Sequence, residues 1–295
     1  MEDKRLLIFV KACEHLSFTK ASEDLCLSQP AVTKQIAALE DHFSLKFFER
    51  IGNKLVLTSD GKDLLHHARI ILNEYQKLNQ ELSLKKGKIK GELKIGSSTT
   101  IAQYILPKIL AEFMNDYPHI KITLHTANSE LIEKALIDGE IHLGLVENNS
   151  HKSNLVYESF ADDRLILVAG TQGKFKNNFS IEEFLKLPLI LRERGSGTLD
   201  VIISTLKNFE ITLDMLNIKI FIGATEGIKL FLQNSDSVGI VSIYALQNEL
   251  KNGSLKELKI DKLNFTRKLN IVRTQGEHLP TVEIFKSYLC NNFKL

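Results

Sequence analysis

The segment Phe18–Glu40 reads FTKASEDLCLSQPAVTKQIAALE, and it contains a helical pattern, a break and a second helical pattern. The break lies at Leu27-Ser-Gln-Pro. Ser28 is a favourable N-cap, and Pro30 is tolerated in the first turn of a helix. The segment therefore predicts a new helix over Pro30–Asp41.

This second helix is predicted to have an apolar side and a polar side. The spacing i, i+4, i+7 of a buried helical face is found at Val32, Ile36 and Leu39. The residues that then point outward are Gln29, Thr33 and Lys34. A braced second helix that offers polar side chains near its start is the helix-turn-helix arrangement, whose second helix enters the major groove of DNA.

Two short strands are predicted after this helix. Phe47–Arg50 and Leu55–Leu57 have strand composition, and the Gly-Asn pair within Ile51–Lys54 is typical of a turn. The hairpin would form a wing beside the two helices, with basic side chains placed for the DNA backbone. The predicted DNA-binding residues are Ser28, Gln29, Pro30, Thr33, Lys34, Arg50 and Lys54.

The next segment predicts a long helix, capped by Thr58-Ser-Asp-Gly. Six of its residues alternate spacings of four and three, which is the heptad pattern of a coiled coil. These dimerisation residues are Leu64, Ala68, Ile71, Tyr75, Leu78 and Leu82. They predict pairing with a second copy, parallel or antiparallel; packing on the chain's own domain is the alternative. A basic hinge at Lys85–Gly91 marks the predicted domain boundary.

From Leu93 onward, strands and helices alternate. Two β-α-β-α-β runs predict parallel strands flanked by helices, and the second run begins near Leu165–Val168. The first run includes one helix predicted over Ile101–Asn115, and a closing helix is predicted over Pro280–Asn292. This part of the chain is therefore predicted to be α/β.

Polar residues gather where these predicted strands end and helices begin. Hydroxyls and free amides at helix starts suit a small oxyanion, and Arg192 or Arg194 could supply a counter-charge. Each hydroxyl could instead be only a helix cap. The predicted effector-binding residues are Ser98, Thr99, Thr100, Thr126, Asn128, Ser196, Gly197, Thr198 and Thr225.

The segment Phe18–Glu40 closely resembles the signature of the LysR-type transcriptional regulators. Phe47–Arg50 and Leu57–Gly61 resemble the wing and the start of the linker helix in that family. Gly96–Pro107 and Arg192–Thr198 resemble landmarks of its C-terminal domain. The resemblance covers the whole chain, and within the family the chain looks most like the regulators of carbon fixation and sulfur assimilation.

The resemblance implies an α+β multidomain fold. It places a winged helix-turn-helix DNA-binding domain at 1–58, a linker helix for dimerisation with its hinge at 59–87, and an effector-binding domain at 88–295. The last is a two-lobed α/β domain like the periplasmic binding proteins, with lobe 1 at about 88–161 and 267–295 and lobe 2 at about 162–266. The implied partners are pseudo-palindromic double-stranded DNA, a small-molecule effector, and further copies of the chain in a homodimer and homotetramer.

The composition argues against several other classes of protein. The chain has 295 residues, of which 43% are hydrophobic and 25% charged, the mix of an ordinary globular protein. It has no apolar run of the roughly 20 residues that a membrane helix needs, and its start lacks the features of a secretory signal. We therefore expect a cytoplasmic protein with no membrane partner.

The sequence contains no GxSxG, HExxH or Walker motif, and its three cysteines lack the spacing of a zinc site. We therefore expect no enzymatic activity, no cofactor and no metal. A solute-binding protein and a two-lobed enzyme are the alternatives that the α/β lobes alone would fit. The helix-turn-helix segment favours a ligand-responsive DNA-binding transcriptional regulator over both, with a small anionic metabolite as its effector.

Overall fold

A computed structural model describes residues 4–86, 89–147, 152–276 and 278–293 of the chain. The chain divides into two compact units. The first comprises Met1–Ile89 with Asp138–Glu140, and the second comprises Lys90–Ile137 with Ile141–Leu295. The domain boundary predicted between Gly87 and Lys88 lies outside the described residues.

The described residues of the first unit form four helices and one hairpin. In chain order these are α1 (Lys4–His15), α2 (Phe18–Asp24), α3 (Gln29–Phe43), β1 (Phe48–Ile51), β2 (Lys54–Leu57) and α4 (Ser59–Leu84). Hydroxyl caps begin three of the helices: Ser17 accepts from Lys20 N, Ser28 from Ala31 N, and Thr58 from Gly61 N. These caps explain why helices start at the positions that the sequence predicts.

The core of the first unit is built on aromatic contacts between α1 and the start of the hairpin. Phe9 is fully buried, and its ring meets Phe47 and Phe48 edge-on at centroid distances of 5.6 and 5.5 Å. The predicted inward residues of α3 complete this core, namely Val32, Ile36 and Leu39. Burial of these side chains fixes α3 against α1 and leaves the opposite face of α3 in solvent.

The second unit is an α/β structure with one ten-stranded sheet. Its elements are β3 (Gly91–Ser98), α5 (Thr99–Tyr104), α6 (Leu106–Asp116), β4 (Ile120–Ala127), α7 (Ser129–Ile137), β5 (Leu143–Val146), β6 (Leu155–Gly170), β7 (Asn178–Phe179), α8 (Ile181–Phe184), β8 (Leu189–Arg192), α9 (Gly197–Lys207), β9 (Ile218–Ile222), α10 (Thr225–Gln233), β10 (Val238–Ser242), α11 (Gln247–Asn252), β11 (Leu255–Ile260), β12 (Phe265–Thr274) and α12 (Pro280–Asn292).

The order of the main path of strands is β4-β3-β5-β12-β6-β10-β8-β9, with β11 on β6 and β7 on β11. Parallel pairs β3–β4 and β3–β5 form lobe 1, and parallel pairs β8–β10 and β8–β9 form lobe 2. The long antiparallel strands β6 and β12 run through both lobes and pair from Leu155↔Thr274 to Leu165↔Phe265. The chain therefore crosses between the lobes on these two strands.

The first helix of lobe 1 differs from the prediction. The sequence predicts one helix over Ile101–Asn115, whereas the structure has α5 and α6, which meet at Ile105. The reason is Pro107, which lies in the first turn of α6. Proline has no N–H for the helical ladder and its ring clashes with the carbonyl four residues earlier, so α5 cannot continue through it. Among the described residues, no helix is both long and apolar enough to cross a membrane.

Candidate functional site

The outward face of α3 carries the polar residues that the sequence predicts there. Gln29, Thr33 and Lys34 are all exposed. Gln29 Nε2 donates to Thr33 Oγ1 at 2.9 Å, and Thr33 Oγ1 donates to the carbonyl oxygen of Gln29 at 3.1 Å. This pair fixes the glutamine amide against the first turn of the helix. A glutamine amide can pair with both hydrogen-bonding groups of adenine in the major groove.

A buried carboxylate that is not among the residues predicted from the sequence links this helix to the wing. Glu40 Oε1 accepts from Phe47 N at 2.9 Å and from Phe48 N at 3.3 Å, and Lys46 Nζ donates to Oε2 at 2.6 Å. Burial raises the pKa of Glu40, but these hydrogen bonds outweigh burial and hold the pKa below its ordinary value. The spacing of Glu40 indicates its burial, because position 40 lies four residues after the inward Ile36 and so on the same face of the helix.

The wing presents its predicted basic residues to solvent. Arg50 on β1 and Lys54 on β2 are both exposed, and Lys54 pairs with Ile51 where the hairpin closes. Gly52 in the turn has a φ of +61°, which a glycine adopts without strain. Ser28 and Pro30 are also exposed at the start of α3. The contact of these residues with DNA stays a prediction.

The predicted dimerisation residues divide along α4. Ala68 is buried and Leu64 half-buried against the core of the first unit, which fits the alternative of packing on the chain's own domain. Ile71, Leu78 and Leu82 are 43–49% exposed. The second half of the apolar stripe is thus uncovered in a single copy, and Tyr75 within it is half-buried.

Three of the predicted effector residues meet in a buried polar cluster between the lobes. Glu147, which follows β5, is 1% exposed. Its Oε2 accepts from Ser98 Oγ at 2.5 Å, and its Oε1 accepts from Thr100 Oγ1 at 3.0 Å. From lobe 2, Thr198 Oγ1 accepts from Arg267 Nη1 at 2.9 Å, and that same nitrogen lies 3.3 Å from Glu147 Oε1.

A second carboxylate holds the guanidinium of Arg267 from the other side. Arg267 Nε donates to Asp163 Oδ2 at 2.7 Å, and Ser242 Oγ donates to Asp163 Oδ1 at 2.9 Å. Burial raises the pKa of Asp163 above its ordinary value, against the effects of Arg267 and Ser242, which lower it. Two carboxylates therefore share one cation in a buried site. We name Ser98, Thr100, Glu147, Asp163, Thr198, Ser242 and Arg267 the interlobe cluster.

The lobes touch beside this cluster. Glu130 N, at the start of α7, donates to the carbonyl oxygen of Gly195 at 3.2 Å. A Cβ added at Gly197 would lie 2.8 Å from the carbonyl oxygen of Glu147. Only glycine at position 197 allows the start of α9 to come this close to the end of β5.

The other predicted effector residues lie elsewhere. Ser196 caps α9 and Asn128 caps α7 by accepting from Leu131 N at 3.0 Å, so the helix-cap alternative fits these two. Thr225 accepts from Arg192 Nη1 at 3.1 Å in a separate group within lobe 2. Thr126 is exposed on β4, and Thr99 is half-buried at the start of α5. Of the two arginines named as counter-charges, Arg192 is buried and Arg194 is exposed.

A second polar contact joins the lobes away from the interlobe cluster. Tyr104 at the end of α5 donates from its hydroxyl to Glu226 Oε1 on α10. Lys229 Nζ lies 2.7 Å from the same oxygen and 2.9 Å from Glu249 Oε1, and it also donates to the carbonyl oxygen of Ala245. Burial, followed by the charge and hydrogen bond of Glu226, raises the pKa of Tyr104.

Comparison with protein families assigns both parts of the chain. Residues 4–62 match the family described as "Bacterial regulatory helix-turn-helix protein, lysR family". Residues 86–293 match the family described as "LysR substrate binding domain". The first match includes α3 and the wing, and the second includes the whole interlobe cluster.

Three known proteins illustrate the similarity. The chain is 29% identical over 288 residues to the RuBisCO operon transcriptional regulator of Acidithiobacillus ferrooxidans, covering 97% of this chain and 92% of that protein. It shares the fold of CbnR complexed with its target DNA (TM-score 0.68, 21% identity, 99% of each chain). It is also similar to the regulatory domain of Synechocystis PCC6803 CcmR in complex with 2-PG (TM-score 0.62, 25% identity, 69% of this chain and 97% of that one).

Proposed function

The chain belongs to the LysR family of transcriptional regulators, and from this premise we propose that a small anion bound between its two lobes controls its binding to DNA. The observation that carries the proposal is the convergence on Arg267. Its Nη1 meets Thr198 of lobe 2 and the carboxylate of Glu147 from lobe 1, beside the hydroxyls of Ser98 and Thr100. A guanidinium with several hydroxyls is a donor set for a carboxylate or phosphate.

The DNA-binding part of the proposal rests on α3 and the wing. Gln29, Thr33 and Lys34 form an exposed polar surface on a helix that the core holds from behind. We infer that this surface contacts base edges, and that Arg50 and Lys54 contact the DNA backbone. The relative CbnR has been captured on its target DNA, which supports the same role here.

The self-association part rests on the exposed apolar residues of α4. We infer that Ile71, Leu78 and Leu82 are covered by α4 of a second copy, since an apolar stripe at heptad spacing is buried by a partner helix. A two-fold dimer would present two copies of α3 to a pseudo-palindromic site. Further contacts between effector-binding units would build the tetramer that the family implies.

The anionic class of effector is supported by a relative as well as by the donors. The regulatory domain of CcmR has been captured with 2-PG. We infer that an anion at the interlobe cluster binds residues of both lobes at once. It therefore favours the arrangement of the lobes in which the residues of both contact the anion. The effect of the ligand on the affinity for DNA is limited by one quantity, which is the difference between its affinities for the ligand-free and the ligand-bound arrangement of the lobes.

Fluorescence anisotropy on the full chain tests the proposal. A labelled duplex from the DNA upstream of the chain's own gene is titrated with protein, with and without 2-PG or inorganic phosphate. The wild-type chain is expected to change its affinity for the duplex when one of these anions is present. Thr198→Val is expected to bind the duplex but to lose that change, because it removes the lobe 2 hydroxyl that Arg267 contacts.

The matched control is Thr266→Val. Thr266 adjoins Arg267 on β12 but is exposed on the other side of the strand. This variant should respond to the anion as the wild type does. An equal response from the wild type and both variants would refute the proposed site.

A further inference from the structure

We propose that Glu147 is an internal competitor for the effector: its carboxylate occupies the place of the anion, and an anionic effector binds by displacing it from Ser98, Thr100 and Arg267. This inference rests on the proposed function, because it concerns the same site. In this inference, Glu147 sets the affinity of the site for the effector and stabilises the arrangement of the lobes without ligand.

The first argument is the use of hydroxyl protons. A hydroxyl has one hydrogen to donate. Ser98 donates to Glu147 Oε2 at 2.5 Å, and Thr100 donates to Glu147 Oε1 at 3.0 Å. An anion that arrived beside Glu147 would meet oxygen lone pairs instead of protons. These two residues can bind an anion only after the Glu147 carboxylate has left them.

The second argument is charge. Asp163 Oδ2 accepts from Arg267 Nε at 2.7 Å, so it already balances the one guanidinium of the cluster. Glu147 is the additional negative charge, and both carboxylates are almost completely buried. A further anion in such a low-dielectric site would be repelled strongly, whereas an exchange removes the negative charge of Glu147 from the site as the anion enters.

The third argument is the position of Glu147 relative to lobe 2. The start of α9 packs directly on its backbone, because a Cβ added at Gly197 would lie 2.8 Å from the Glu147 carbonyl oxygen. The adjacent Thr198 shares Arg267 Nη1 with the Glu147 carboxylate. Displacement of this carboxylate by an anion bound to lobe 1 therefore also changes the contacts that the start of α9 in lobe 2 makes with Glu147 and Arg267. The exchange couples ligand binding to the arrangement of the lobes.

The test compares anion binding by the full-length chain and its Glu147→Gln variant. Glutamine keeps the size of the side chain and removes the charge, so it competes poorly for Arg267 and for the hydroxyl protons. Calorimetric titration with sodium sulfate, sodium phosphate and 2-PG, each against sodium chloride of equal ionic strength, measures Kd. We expect Glu147→Gln to bind these anions about tenfold more tightly than the wild type or better, a coupling of ordinary size.

Two further variants make the result specific. Glu130→Gln removes the same charge from an exposed position where the lobes also touch, and its Kd should stay within about threefold of the wild type. Glu147→Gln combined with Arg267→Gln should lose the gain, because the anion then has no cation. Circular dichroism of each variant shows whether it is folded. Glu147→Asp, whose carboxylate is one methylene shorter, provides a second test if Glu147→Gln does not fold and should also bind more tightly.

The outcomes separate this inference from the proposed function. If the wild type binds an anion through Arg267 and the folded Glu147 variants bind it no more tightly, Glu147 is a structural residue and the inference is wrong, while the proposed site stands. If the wild type and the folded Glu147 variants all fail to bind sulfate, phosphate and 2-PG, both the anionic class of effector and the competitor are refuted.

Discussion

Arg267 Nη1 on β12 donates to Thr198 Oγ1 on α9 at 2.9 Å, and both side chains are buried. This bond joins a helix of lobe 2 to a strand that runs through both lobes. Because the same nitrogen also lies 3.3 Å from Glu147 at the end of β5, one guanidinium connects the two lobes at the site proposed for the effector.

Replacement of this guanidinium should be costly. We expect Arg267→Met to lower the free energy of unfolding by about 3–5 kcal/mol, because Asp163 and Glu147 would remain as buried carboxylates without a cation. In a unit of this size, that is a fall of at least about 6 °C in the melting midpoint by calorimetry. Lys268→Met is the control, since its ion pair with Asp162 is largely exposed and contributes about 1 kcal/mol or less. Equal melting of the two variants would contradict the account.

The second unit should lose stability in acid through His142. Burial lowers the pKa of this imidazole from 6.5 to about 3, with a smaller effect from Lys94, and its Nδ1 accepts from Lys94 N at 3.1 Å. The folded state therefore binds a proton at His142 more weakly than the unfolded state does. The stabilising effect of the neutral imidazole is fully present above pH 6.5. It is lost by up to about 1.4 kcal/mol per pH unit as the pH falls from 6.5 towards 3.

A pH series of chemical denaturation curves tests this prediction. His142→Asn should have a shallower decline of unfolding free energy between pH 6.5 and pH 4 than the wild type, because it cannot bind the proton. His125→Asn, which changes an exposed histidine on β4, should follow the wild type. Parallel declines for all three proteins would show that His142 does not control acid stability.

Glu40→Gln should weaken DNA binding through the position of the wing. The neutral amide loses the ion pair with Lys46 and can accept only with its single oxygen, whereas the carboxylate accepts from Lys46 and from Phe47 and Phe48 N. Hydrogen bonds to a charged group contribute about 1.5–3 kcal/mol, so we also expect a fall of that order in stability. Gel shifts on the upstream duplex should give a higher Kd than for Glu49→Gln, an exposed wing variant. A Kd equal to that of Glu49→Gln would refute the role of Glu40.

The exposed apolar residues of α4 predict that a charged side chain at position 71 prevents dimerisation. Ile71→Asp should dissociate the dimer, since it would bury a carboxylate against the apolar residues of the partner helix. Ile70→Asp is a close control, because Ile70 is 44% exposed and Ile71 43%, but Ile70 lies off the heptad positions. Multi-angle light scattering should give monomers only for Ile71→Asp. Dimers of unchanged mass in both variants would favour the alternative that α4 packs on its own domain.

The local sequence predicts most of the elements because caps and periodicity act over a few residues. Ser28, Thr58 and the inward positions of α3 lie where the sequence places them, since helix caps and apolar faces depend on neighbours within two turns. The break between α5 and α6 was missed because an apolar periodic run outweighed the effect of Pro107.

The interlobe cluster was only half predictable. Ser98, Thr100 and Thr198 follow from their positions at strand ends, but no local pattern marks their partners Glu147, Asp163 and Arg267. Asp163 and Arg267 each lie beside other charged residues, and nothing in the sequence distinguishes them from those neighbours. Arg267 is 69 residues from Thr198 and 104 from Asp163 along the chain. A pattern over a few residues cannot indicate a bond formed at that separation, because it depends on how β6 and β12 pair.

The most direct test of the account is whether the exposed face of α3 determines DNA sequence preference. The full-length chain is titrated against the duplex from its own upstream region and against a scrambled duplex of the same composition. We predict that Thr33→Ala combined with Lys34→Ala reduces the preference for the upstream duplex by about 1–3 kcal/mol. His42→Ala, an exposed change at the other end of α3, should keep the full preference. If the double variant prefers the upstream duplex as strongly as the wild type, α3 does not read the DNA sequence and the central claim is wrong.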